Sequence, residues 1–243
     1  MKENKYDDSA FFEQYEKMNR SQKGLAGAGE WHVLRGMLPD FTGKDILDLG
    51  CGFGWHCRYA IENGAKSVVG VDISEKMLEK ARKINNLKGI EYVKKALEDV
   101  DYPAGQFDIV LSSLTFHYIE SFETISRNVY TWLKPKGYFL FSVEHPVFTA
   151  FGNQDWIYGE AGEKRHWPVD NYFKEGKREA LFLGEKLTKY HRTLTSYINT
   201  LLKQGFKINE IIEPEPSEEM LAEYPEMEEE LRRPMMLIIS AER

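Results

Sequence analysis

Cysteine is scarce, with two in 243 residues. Cys51 and Cys57 stand six positions apart across an expected helix start and form no C-x-x-C pair. That excludes a disulfide scaffold and a compact thiolate metal site, and it fits a reducing, cytoplasmic setting. Long apolar runs are also missing: none approaches the roughly 20 residues that cross a bilayer. The stretch Met1-Lys2-Glu3-Asn4-Lys5 is polar and mixed in charge, with no apolar core of a signal peptide behind it. No block of lysines and arginines interrupts a net charge of −7. Nucleic-acid binding leans on clustered bases that neutralise phosphates, so neither nucleic acid nor membrane is an expected partner. The densest charge run, from Glu210 to Arg233, is acidic and reads as a solvated helix face. Internal repeats and low-complexity tracts are absent. A hydrophobic fraction of 42% is ample for a buried core, and the length suits one α/β domain, as monomer or homodimer.

Against these absences stands one dense motif, Asp45-Ile46-Leu47-Asp48-Leu49-Gly50-Cys51-Gly52-Phe53-Gly54. An apolar run that stops in a glycine cluster reads as a buried strand turning sharply into a helix. Glycines let backbone come close to a ligand because no Cβ intervenes. Asp72 follows Gly54 by eighteen residues and ends a second apolar run, Ser67-Val68-Val69-Gly70-Val71. At that strand end its carboxylate can accept hydrogen bonds from ribose hydroxyls. The pattern is built to hold a nucleoside. It departs from the dinucleotide fingerprint G-x-G-x-x-G, because Trp55 stands where the third glycine would fall. Asp48, two places before the first glycine, would repel a pyrophosphate and suits an ammonium group.

The order of elements is regular up to about residue 144. Two helical patterns between 8 and 38 are interrupted by Gly24-Leu25-Ala26-Gly27-Ala28-Gly29. Strands are expected near 45–49, 67–71, 90–94, 107–112 and 138–143, with helices at 54–63, 75–85 and 121–133 between them. Such alternation implies a mostly parallel sheet with helices on both faces. From His145 to about Lys189 the periodicity fails among glycines, prolines and aromatic residues such as Phe148, Phe151, Trp156, Tyr158, Trp167, Tyr172 and Phe173. Long irregular segments in compact domains serve as lids or binding loops. A helix at 192–204, a strand near 206–213, an acidic helical insert and a last strand from Met235 to Ser240 complete the chain.

Asp48-Leu49-Gly50-Cys51-Gly52-Phe53-Gly54 with Asp72 resembles motif I of the class I S-adenosylmethionine (SAM)-dependent methyltransferases. The chain is similar to their small-molecule branch (methyltransferase type 11/25-like), with motif coverage from about 30 to 145 and weaker likeness beyond. The resemblance implies a Rossmann-like α/β fold: a seven-stranded, mostly parallel sheet, helices on both faces, an antiparallel last strand. It implies one domain over 1–243, made of an N-terminal helical cover (1–42), a SAM-binding core (43–144), an aromatic-rich lid insertion (145–190) and a C-terminal helix with closing strands (191–243). Asp48, Gly50, Cys51 and Gly52 would cradle the methionine part of SAM. Asp72 would bind the ribose, Ile73 would pack on the adenine, and Ala96-Leu97-Glu98 would meet its edge. Ser112, near the end of Phe107-Asp108-Ile109-Val110-Leu111-Ser112-Ser113, would approach the sulfonium. Tyr6, Tyr15, Arg20 and Trp31 would close over the cofactor. The fourth strand lacks the Asn/Asp-Pro-Pro-Tyr/Phe ending of enzymes that methylate DNA or protein amides, which points away from those acceptors.

Methyl transfer from a sulfonium is an in-line displacement, so alignment matters more than a base. Should a base be used, His117 after the fourth strand and His145 after the fifth are the catalytic candidates, both where open α/β sheets bind ligands. The competing role for His117 is packing at a helix start against Trp132, and for His145 it is a strand exit beside Pro146. His145, His166 and His191 match no compact ligand spacing, so no metal is expected. The rival activities are a nicotinamide-dependent (NAD or NADP) oxidoreductase and a SAM- or SAH-binding protein without catalysis.

Overall fold

In the computed structural model, described for residues 4–243, the sheet runs β10-β11-β5-β4-β1-β2-β3. Residues 1–3, the start of the polar N-terminal stretch, lie outside the described residues. The strands are β1 (Asp45–Leu49), β2 (Ser67–Asp72), β3 (Ile90–Lys94), β4 (Phe107–Ser113), β5 (Leu133–Glu144), β6 (Ile157–Tyr158), β7 (Lys164–His166), β8 (Gly176–Phe182), β9 (Glu185–His191), β10 (Lys207–Ile212) and β11 (Met236–Glu242). β1 to β5 pair in parallel, whereas β11 is antiparallel to both β5 and β10. This is the seven-stranded, mostly parallel α/β sheet with an antiparallel last strand that the sequence predicts.

The helices are α1 (Ser9–Glu16), α2 (Asn19–Gln22), α3 (Trp31–Leu34), α4 (Trp55–Glu62), α5 (Glu75–Ile84), α6 (Phe122–Trp132), α7 (Pro146–Thr149), α8 (Leu194–Gln204) and α9 (Glu218–Glu223). Their starts follow from side-chain caps: Ser74, Ser121 and Thr193 accept from the amides of Met77, Thr124 and Ser196. Gly205, at φ 99°, ends α8 in a left-handed turn. None of the described helices is long and apolar enough to cross a membrane.

Strand periodicity sorts the core onto two faces. Leu47, Leu49, Val110, Phe139, Phe141 and Val143 pack with α6 and α8. Ile46, Val68, Ile109, Leu111 and Leu140 pack with α3 and α4 on the other face.

Two segments differ from expectation. Among the described residues the N-terminal region forms three short α-helices instead of two, with Gly27 packed so closely on Asn19 that a Cβ there would overlap the Asn19 carbonyl. The stretch from 145 to 189 is not irregular throughout. It holds α7, the short ribbon β6–β7, and a hairpin of two seven-residue strands, β8–β9, turning at Leu183-Gly184. Both turn residues have positive φ (51° and 81°), as a two-residue type I′ loop demands.

Candidate active site

β1 ends in three glycines with left-handed backbone at 50, 52 and 54. Two of them serve different ends. A Cβ on Gly50 would overlap the Thr115 side chain, so this glycine permits packing. A Cβ on Gly52 would meet no atom within 4 Å, because it faces the open cavity. The Gly52 amide donates to Asp72 Oδ2 and the Ser74 amide to Oδ1, each at 2.9 Å, so the end of β2 and the glycine turn lock together. Burial raises the Asp72 carboxyl above the usual range, against the lowering effect of those two amides.

The turn and Asp72 line a cavity of about 550 Å³ at the C-terminal ends of the parallel strands. At one end stand Ile73, Met77, Ala96, Leu97 and Glu98. At the other stand Ser113, Thr115, His117, Tyr118 and Glu144, covered by Tyr6, Tyr15 and Arg20 from the N-terminal segment. Arg20 pairs with Glu30 at 3.1 Å, and Ser113 Oγ donates to the same carboxylate at 3.0 Å. Burial would raise the Glu30 carboxyl, but Arg20 and Ser113 hold it below its ordinary value.

The structure thus brings Gly50, Cys51, Gly52, Asp72, Ile73, Ala96, Leu97, Glu98 and His117 to one cavity. Asp48, Ser112 and His145 do not reach its wall. Asp48 points to the α4 face, where Cys57 Sγ donates to it at 3.2 Å, and burial lifts its carboxyl to about 7. Ser112 Oγ donates to the Leu49 carbonyl at 2.8 Å, which leaves its neighbour Ser113 as the strand-end hydroxyl on the cavity. His145 Nδ1 accepts from the Val147 amide and caps α7, while Nε2 lies 2.7 Å from Glu213. Trp31 packs on His56 and Tyr59. His191 is buried between Thr149 and the Tyr172 carbonyl, and His166 is exposed on β7. Among the described residues no group of three or more His, Cys, Asp or Glu converges as a metal site would.

His117 Nδ1 accepts from the Glu144 amide at 3.3 Å, so the ring proton sits on Nε2, 4.0 Å from Glu144 Oε1. Burial depresses this imidazole to about 4. It is therefore a neutral hydrogen-bond donor at physiological pH. Glu144 is the feature that reasoning on strand ends underweights. Lys189 Nζ donates to its Oε1 at 2.5 Å, and Gln154 Nε2 to its Oε2 at 2.6 Å. Burial opposes ionisation of Glu144, yet Lys189 and its other donors hold the carboxyl below its ordinary value. The period-2 pattern of β5 carries the signal: Phe139, Phe141 and Val143 point into one core layer, so Glu144 must leave on the opposite face.

Comparison with known proteins agrees with this architecture. A methyltransferase-domain family model matches residues 47–141. The chain is 58% identical to a putative SAM-dependent methyltransferase from Listeria monocytogenes, with 90% of this chain and 99% of that one covered at a TM-score of 0.86. It is 43% identical to a SAM-dependent methyltransferase from Mesorhizobium loti, with 90% and 100% covered at 0.84. An uncharacterised protein of Haemophilus influenzae is 34% identical over 247 residues, covering 97% of this chain and 95% of its own. The chain belongs to the class I SAM-dependent methyltransferases. SAM is accordingly its cofactor, and Gly52, with open space where a Cβ would stand, and the partly buried Asp72 both line the cavity.

Proposed function

We propose that this enzyme transfers a methyl group from SAM to a small-molecule acceptor in the cytoplasm. The observation that carries the reading is the reach of the cavity, which is lined both by Asp72 and by Glu144. Its volume of about 550 Å³ is that of a small-molecule site. In this reading Gly50, Cys51 and Gly52 offer backbone to the methionine part and Asp72 accepts from the ribose. Ile73, Ala96, Leu97 and Glu98 surround the adenine, and Tyr6, Tyr15 and Arg20 close over it. Asp48 acts from behind the turn. Residues 1–42 are the cover, 43–144 the cofactor core, 145–190 the lid and 191–243 the closing unit. Two free, buried cysteines suit a reducing compartment.

Bound there, SAM supplies a methyl already activated on a sulfonium. The chain's own contribution is position: alignment of reactants is worth about 7–11 kcal/mol, against a factor of roughly 10²–10⁴ for a general base. His117, with Nδ1 occupied, serves as a donor that orients a lone pair. Glu144, held ionised, accepts from a proton-bearing nucleophile. His145 is a positioning residue for the lid, through its cap on α7.

A thermal-shift series with SAM, SAH, NAD and NADP tests the cofactor half. Each ligand at about 100 times its Kd stabilises by roughly 2.7 kcal/mol. At about 2–4 °C per kcal/mol for a chain of this size, that is roughly 5–11 °C. Shifts with SAM and SAH alone are expected; a shift with NAD or NADP instead would overturn the assignment.

A further inference from the structure

We propose that the methyl acceptor is an uncharged molecule with a largely apolar body. The inference rests on the reading above, that one cavity holds cofactor and small acceptor together. Charge along the cavity wall is cancelled in place. Apart from Asp72 and Glu98, which that reading gives to the cofactor, four charged side chains line the cavity: Lys5, Arg20, Glu144 and Glu230. Each is matched within the chain. Lys189 Nζ donates to Glu144 Oε1 at 2.5 Å while Gln154 fills the other oxygen, and Arg233 grips both oxygens of Glu230 at 2.6 and 3.1 Å. Arg20 meets Glu30 at 3.1 Å, and Lys5 meets Glu185 at 3.4 Å. The partners Lys189, Arg233 and Glu30 are themselves buried. The two histidines on the wall, His56 and His117, are neutral, since burial depresses each imidazole to about 4.

An ion entering such a site sheds its water and meets no free opposite charge, so its desolvation goes uncompensated. An uncharged molecule loses far less. The rest of the wall suits hydrocarbon. Six of the chain's eight methionines line this cavity: Met18, Met77, Met220, Met227, Met235 and Met236. The methyls of Met220 and Met236 converge on Gly29, lying 3.8 and 4.0 Å from where its Cβ would be. Met236 also stands directly opposite Glu144 in the antiparallel β5–β11 ladder, so apolar surface and neutralised pair are neighbours. Methionine is unbranched and polarisable, and it adapts to an apolar surface without a fixed shape of its own.

An uncharged acceptor also keeps the lone pair that the transfer uses. That pair forms the new bond to the methyl carbon while the C–S bond breaks, its electrons staying on sulfur. Positive charge passes from sulfur to the acceptor atom and is discharged when a proton on that atom leaves to water. A protonated amine has no such pair to give.

The test uses one ring with three head groups: naphthalen-1-ylmethanol is neutral at pH 7, naphthalen-1-ylmethylamine a cation and 1-naphthoic acid an anion. Binding of each to the SAH-saturated protein is measured by calorimetry. SAH carries no sulfonium, so the series reads the chain's own charges alone. Expected is at least tenfold tighter binding of the alcohol than of either ion. Lys189→Met, which takes the counter-ion from Glu144, should bring the amine within threefold of the alcohol. Glu144→Gln, which takes it from Lys189, should do the same for the acid. A smaller preference in the wild type, or no binding of any of the three, overturns the inference, and so do folded variants that keep the wild-type order. The wild-type series decides alone should neither variant fold. Absence of SAH binding at the outset would sink the cofactor reading instead, so the two failures are distinguishable.

Discussion

Gly52→Ala separates a glycine needed for ligand from glycines needed for folding. Gly52 has φ 53°, and its missing Cβ faces open cavity. An alanine in the left-handed region costs about 1–2 kcal/mol, so the unliganded protein should melt roughly 2–8 °C lower at about 2–4 °C per kcal/mol. The added methyl stands in the volume the cofactor fills. Overpacking of a filled site costs about 1–3 kcal/mol, which is roughly 5- to 150-fold in affinity. At a SAH concentration of about 100 times the wild-type Kd, ligand stabilisation should fall from roughly 2.7 to about 0.3–1.8 kcal/mol. Differential scanning fluorimetry with and without SAH reads both numbers at once. Gly50→Ala is the control: its Cβ would overlap Thr115, so that variant should lose the fold's stability before ligand is considered. A Gly52→Ala protein that keeps the full SAH shift would refute the placement of the cofactor over this turn.

Two further outcomes follow from the buried charges. Burial raises the Asp48 carboxyl from 3.8 to about 7, so its charged form is disfavoured in the folded state. The sign is that of a raised acid: there is no cost below about pH 4, a growing loss of stability from there to about pH 7, and a constant loss above. At 1.36 kcal/mol per pH unit the loss reaches on the order of 4 kcal/mol. Asp48→Asn should therefore stabilise the ligand-free protein at pH 8 and lessen the fall between pH 4 and 7. Urea midpoints that are unchanged at pH 8 would count against it. Lys189, 2% exposed, is the only cation in contact with Glu144 among the described residues. Lys189→Met leaves that partly buried carboxylate without its counter-ion and with Gln154 as its remaining close donor, at a cost of about 3 kcal/mol in urea unfolding. The double variant with Glu144→Gln should recover most of it, and a single variant costing under about 1 kcal/mol would show the pair to be solvated.

The cofactor half of this site was legible because its chemistry is local. Gly50, Gly52 and Asp72 sit at the ends of adjacent parallel strands, and short-range pattern alone places strand ends side by side. Even there, period and neighbour decide: Ser112 and Ser113 differ by one position, yet the strand pleat sends the first to the Leu49 carbonyl and the second to the cavity. The same parity separates Glu144 from His145, which no motif distinguishes. The acceptor half was illegible because it is assembled from far-apart stretches with no motif of their own. Lys189 reaches Glu144 from a hairpin whose Leu183-Gly184 turn lies inside a stretch crowded with glycine and aromatic residues. Met220 and Met227 sit in an acidic run that reads as solvated surface, because the glutamates between them do face solvent. Only the antiparallel return of β11 beside β5 puts Met236 opposite Glu144, and strand order is a property of the whole chain. The far end of the cavity is therefore written in the chain's connectivity, whereas the glycine turn that locks to Asp72 is written in ten consecutive residues and one aspartate.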